Sequence, residues 1–130
     1  MGKIDSFEGM EIWKLARDIS VEIFRIYQES ELKHDYALWN QMNRSSGSIM
    51  DNLAEGFERN GNKEFRQFLS VAKASCGDLR SQLYRCHDRN YIDKNQLDDL
   101  LEQLRFESRK ISTLLVYLSR TDMKGSKFST

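Results

Sequence analysis

Apolar residues recur at three- and four-residue steps in four stretches of this chain, with short polar breaks between them. Over residues 10–29, Ile12, Leu15, Ala16, Ile19, Ile23 and Ile26 fall on one helical face. Phe24 and Tyr27 broaden that face, and Trp13 sits at its edge. A break over residues 30–35 leads to a second helix, predicted to start at Asp35 or Tyr36 and to end near Arg59. Its stripe runs through Leu38, Met42, Ser45, Ile49, Leu53 and Phe57. Gly47 and Gly56 each cost that helix about 1 kcal/mol relative to alanine, a cost that close approach of a neighbouring backbone would offset.

The run NGNK, residues 60–63, predicts a tight turn with Asn62 capping the third helix. Phe65, Phe68, Leu69, Ala72, Cys76, Leu79, Leu83 and Cys86 then line one side. A last break covers residues 89–96, where Asp93 and Gln96 have the spacing of a capping box. Leu97, Leu100, Leu101, Leu104, Ile111, Leu114, Leu115 and Leu118 form the stripe of the fourth helix, with Ser108 filling its middle phase. Trp13, Trp39, Phe57, Tyr84 and Tyr117 are left to widen the core or to form a subunit interface.

Four long segments with short connections predict an all-α fold, an antiparallel up-down-up-down four-helix bundle. It is expected to span residues 1–121 as one domain, with a polar tail over 122–130. The chain contains no proline, so the commonest helix breaker is missing. No stretch approaches the length of a transmembrane helix, so no membrane partner and a cytoplasmic location are expected.

The second helix also carries a polar stripe: Gln41, Arg44, Ser48, Asn52, Glu55 and Arg59 recur at three- and four-residue steps. Three readings stay open for it: a solvated face, a polar network between helices or subunits, and a ligand site. Small residues at 45–48 leave room for another helix. They are not a phosphate loop, since the glycine spacing and the Gly-Lys-Ser/Thr end are missing. Ser48 has no nearby histidine to activate it.

Twenty basic residues balance twenty acidic ones, so no whole-molecule field draws the protein to nucleic acid. A local basic face remains on the third helix, where Arg66, Lys73 and Arg80 share one side and Arg85 pairs with Arg89. Cys76 and Cys86 lack ligand spacing and read as reduced core thiols. His34 and His87 are isolated, and Asp98, Asp99 and Glu102 suit the first turns of the fourth helix. No metal, cofactor or catalytic residue is expected.

The segment QMNRSSGSIMDNLAEGFERNGNKEFRQFLSVAKAS, residues 41–75, resembles the bacterial intervening-sequence (S23) protein family, a family of four-helix bundles. Gln41, Arg44 and Ser48-Ile49 match its first recurrent positions. Asn52, Ala54-Glu55-Gly56 and Arg59 match its N-x-A-E-G-x-x-R signature, and Lys63-Glu64-Phe65, Phe68-Leu69 and Ala72 match its next helix. Met50 and Leu32 stand where proline is common, which should straighten the helices. The resemblance implies a ring-like homopentamer with a structural or interface role for Gln41, Arg44, Ser48, Asn52, Glu55, Gly56 and Arg59. A similar branch assists the reverse transcriptase of diversity-generating retroelements. Together with the third-helix cations, it implies RNA, DNA or a reverse transcriptase as alternative partners. The expected function is a noncatalytic oligomeric scaffold; the alternative is a nucleic-acid-binding accessory factor.

Overall fold

The structure, a computed structural model, describes residues 4–123. Four helices carry almost all of it: α1 (Glu11–Glu29), α2 (Tyr36–Glu58), α3 (Asn62–Asp88) and α4 (Lys94–Met123). A short 3-10 turn, Phe7–Gly9, precedes α1, and a second, Glu31–His34, joins α1 to α2. Each helix packs on its sequence neighbours and α4 closes on α1, giving an antiparallel four-helix bundle. The α2–α3 seam is the most extensive and the α1–α4 seam the thinnest. α4 runs two residues past the boundary expected at 121; the rest of the expected tail lies outside the described residues.

Local chemistry explains where the helices start and stop. Ser30 Oγ donates to the Ile26 carbonyl at 2.6 Å and accepts from the Leu32 amide at 3.2 Å, ending α1 and starting the turn after it. Asp35 caps α2, its Oδ1 accepting from the Leu38 amide at 3.3 Å. The capping box of α4 is present in both directions. The Gln96 amide donates to Asp93 Oδ1 at 2.8 Å, and the Asp93 amide donates to Gln96 Oε1 at 2.9 Å. Asn60 (φ 59°) and Asn90 (φ 64°) turn the chain through the left-handed region after α2 and α3, a conformation asparagine tolerates better than most residues.

One expected cap is corrected. Gly61, not Asn62, is the N-cap residue of α3. Asn62 is the first helical residue and is buried. Its Nδ2 donates to the Leu118 carbonyl of α4 at 3.1 Å, and its Oδ1 accepts from Arg66 Nε at 2.7 Å. The side chain is thus used across helices and cannot also close its own.

The core follows the predicted stripes closely. Ile19 and Ile23 of α1, Met42, Ile49 and Leu53 of α2, Leu69, Leu79 and Leu83 of α3, and Leu100 and Leu104 of α4 are fully buried. Ile12, Leu15, Phe57, Phe65, Leu114 and Leu115 are only half-buried against that core. Trp39 stacks on Tyr27 at 4.2 Å between ring centres. Phe24, Tyr84 and Tyr117 stay exposed rather than widening the core. No helix among the described residues is long and apolar enough to cross a membrane.

Candidate functional site

The α2 polar stripe runs along the α2–α3 seam and divides into three parts. At its centre, Ser75 of α3 donates its hydroxyl to Ser48 Oγ of α2 at 2.8 Å. Asn52 Nδ2 donates to the same Oγ at 2.9 Å and to the Ser48 carbonyl at 2.8 Å. Three short polar side chains thereby satisfy one another inside a helix contact. Toward the start of α2, Gln41 Oε1 accepts from Arg85 of α3 at 2.6 Å. Toward its end, Arg59 pairs with Glu55 at 2.7 Å, both half exposed. The Arg59 guanidinium also lies 5.1 Å from the Phe68 ring centre, carrying a cation–π contact across to α3.

The two glycines of α2 behave differently. A methyl group at Gly56 would lie 2.8 Å from Phe68 Cβ and 3.0 Å from Phe65 Cδ1, so close approach of α3 requires glycine here. At Gly47 nothing lies within 4 Å of the same added atom. The close approach expected at both positions is therefore made at one of them.

Beside Ser48 the seam opens into a groove of about 500 Å³, lined by Gln41, Arg44, Ser45, Ser48, Ser75, Asp78, Ser81, Gln82 and Arg85. Arg44 is exposed there, with no hydrogen bond or ion pair among the described residues. Gln82 is 9% exposed, and its Oε1 is buried with no partner among the described residues. A buried amide oxygen without a donor costs about 1–3 kcal/mol.

The predicted basic face of α3 does not stay together. Arg85 is held toward α2 by Gln41. Arg89 is held by Asp35 at 2.7 Å, and the same Asp35 oxygen accepts from the Tyr91 hydroxyl at 2.8 Å. The hydrogen bonds from Tyr91 and Arg89 hold the Asp35 carboxyl below its ordinary range. Arg66 is engaged by Asn62. Lys73 and Arg80 instead meet Ser70, Ala74, Gly77 and Ser108 in a shallow cleft of about 360 Å³ between α3 and α4.

Cys76 and Cys86 are free and buried. Burial pushes both thiols up to about 12, where they are poor nucleophiles. His34 is exposed and His87 half-buried in the last turn of α3. Among the described residues no group of His, Cys, Asp and Glu is arranged to hold a metal ion.

Sequence reasoning passed over the two buried polar side chains that carry unpartnered atoms among the described residues, Gln82 and Glu107. Glu107 is 0% exposed, with neither carboxylate oxygen partnered among the described residues. Desolvation pushes its carboxyl up to about 8. Both were detectable in the spacing. Gln82 falls between Leu79 and Cys86, and Glu107 between Leu104 and Ile111, each at steps of three and four on an otherwise apolar stripe.

The family model for the 23S rRNA-intervening sequence protein matches residues 8–113, which takes in all of α1, α2 and α3 and most of α4. The chain belongs to that family. No curated protein matches it.

Proposed function

We propose that this member of the family is a noncatalytic, cytoplasmic scaffold that self-associates through the α2–α3 groove. Gln82 carries this reading: a nearly buried side chain whose amide oxygen has no donor among the described residues, set in a groove beside Arg44, which has no hydrogen bond or ion pair among them either. A second copy of the chain presents serine, asparagine and arginine donors suited to that acceptor. Gly47 lies on the same helix with open space where a side chain would stand, which gives a partner helix room to approach. A closed ring, with five copies favoured by the family resemblance, buries one such surface per contact without leaving an open end. Among the described residues the hydrogen bonds of the candidate hydroxyl come from Ser75 and Asn52, neither of which is a base that activates Ser48.

Light scattering over a wide range of protein concentration tests this. A closed oligomer that Arg44→Glu with Gln82→Leu converts to monomer is the expected result. A monomer at every concentration, or an oligomer indifferent to the double variant, rejects the groove as the interface.

A second reading rests on Lys73 and Arg80. They share one cleft with two serine hydroxyls, and neither has an ion-pair partner among the described residues. Such a cleft suits a phosphate of RNA or DNA, and makes the chain an accessory factor to a nucleic-acid enzyme such as a reverse transcriptase. Salt-dependent binding that Lys73→Glu with Arg80→Glu abolishes is the expected behaviour. No saturable binding at low salt removes this reading. Arg85 and Arg89 point that test elsewhere, because both are engaged toward α2.

A further inference from the structure

The thinnest seam of the bundle holds its least satisfied side chain. Glu107 helps line a cavity of about 400 Å³ between α1 and α4, walled by Ile12, Leu15 and Phe106. That volume falls within the range of small-molecule sites. Both Glu107 oxygens are buried without a hydrogen-bond donor among the described residues. A buried carboxyl in that condition is costly, and a packed bundle has no structural need of it.

The surrounding charges narrow what the cavity would accept. α1 contributes Glu11; α4 contributes Glu102, Arg109 and Lys110 besides Glu107; α2 contributes no lining residue. Arg109 and Lys110 rest over the Phe106 ring, 5.8 and 5.5 Å from its centre. From α3, Cys76 lies close enough for the Glu107 charge to raise its thiol further, but a thiol is a weak donor. Glu11 and Glu102 balance Arg109 and Lys110 while Glu107 holds its proton, its ionisation tips the lining negative, and the cations are drawn toward the aromatic face.

We propose that this cavity binds a small molecule with an apolar body and a protonated amine head, the ammonium pairing with Glu107. An ammonium supplies three N–H donors, enough for both carboxylate oxygens, whereas an alcohol supplies one. A carboxylate ligand brings no donor for the Glu107 oxygens and meets Glu107 as a like charge once that carboxyl ionises, above about pH 8. The aliphatic and aromatic walls take the apolar body. Pairing requires Glu107 to change rotamer toward the opening. Near neutral pH the Glu107 carboxyl holds its proton, so pairing with the ammonium releases one proton to solvent and leaves a carboxylate–ammonium pair.

Calorimetric titration of the full chain with n-hexylammonium, n-hexanol and hexanoate tests this. The ammonium probe is expected to bind saturably, about ten-fold or more tighter than hexanol, the difference being one charge-assisted hydrogen-bonded pair. Its affinity should rise from pH 6 to pH 8, with a proton released at pH 7 as seen in buffers of different ionisation enthalpy. Glu107→Gln should remove that preference and the proton release while hexanol binding persists. Ile12→Trp, which fills the wall and spares Glu107, should weaken both probes. Equal affinity for hexylammonium and hexanol, or ammonium binding untouched by Glu107→Gln, would show an apolar hole without recognition and overturn the proposal. Absence of binding by every probe at pH 8 overturns it as well. So does a Glu107 titration that drops when Lys110 is present and recovers in Lys110→Gln, since the chain's own ammonium would then be the occupant.

Discussion

Across the α2–α3 seam, Gly56 lets Phe68 and Phe65 press directly on the helix backbone, and Ser48, Asn52 and Ser75 satisfy one another in the contact. Across the α1–α4 seam, contact is sparse, a cavity of about 400 Å³ intervenes, and a buried carboxyl has no donor among the described residues. Both seams join amphipathic helices of similar make. They differ in how polar atoms are handled: at its close contact the first pairs short polar groups with one another and leaves the longer Gln82 unpartnered in the groove beside them, while the second leaves a whole carboxyl where no donor among the described residues reaches it. Close approach and satisfied hydrogen bonds therefore go together where the side chains are short, at Ser48, Asn52 and Ser75, and part company at the long ones, Gln82 and Glu107.

The largest change should come from Gly56→Leu, which puts a branched side chain against the Phe68 Cβ rather than against a flexible tip. We expect a loss of about 3 kcal/mol or more, the upper range for overpacking, read from the midpoint of chemical unfolding. A change below that found for an exposed α2 position would mean the tight seam yields easily.

Glu107→Leu should move stability the other way, by about 1–4 kcal/mol at pH 8, since an apolar side chain replaces an unpaired buried carboxyl. The pH dependence has a defined sign. The unfolded carboxyl releases its proton near 4.5 while the folded one holds it to about 8. Between those values the native state binds more protons, so wild-type stability falls as pH rises. The leucine variant should lose that slope. An unchanged slope would assign it to other groups.

The smallest effect is expected from Ser75→Ala, which removes one donor to Ser48 Oγ and leaves the Asn52 bond in place. A loss of about 0.5–1.5 kcal/mol is the usual worth of one such bond. A loss as great as that of Gly56→Leu would make the hydroxyl network, not the close fit, the main support of this seam.

Hydrophobic spacing placed all four helices within a few residues, and the Asp93–Gln96 box was readable because both partners are local. What periodicity lacks is distance between elements. It assigns Gly47 and Gly56 to one helix but cannot tell which meets another backbone. Asn62 has the composition of a cap, yet a carbonyl 56 residues away claims its amide. The basic residues of α3 share a helix, but Gln41 and Asp35 draw Arg85 and Arg89 away from Lys73 and Arg80. Glu107 was legible by position, and its meaning came only with the neighbours that fail to reach it.

The Asp35 carboxylate touches three parts of the chain at once: the first turn of α2 through the Leu38 amide, the end of α3 through Arg89, and the loop before α4 through Tyr91. With its pKa depressed below 3.8, it contributes stability in full above that value and loses it as acid protonates the folded carboxyl. Acidification should thus unfasten that pole of the molecule like a clasp, while the same acid relieves Glu107. Between them these two groups favour a mildly acidic band, bounded below by a latch that needs its charge and above by a buried carboxyl that resists taking one.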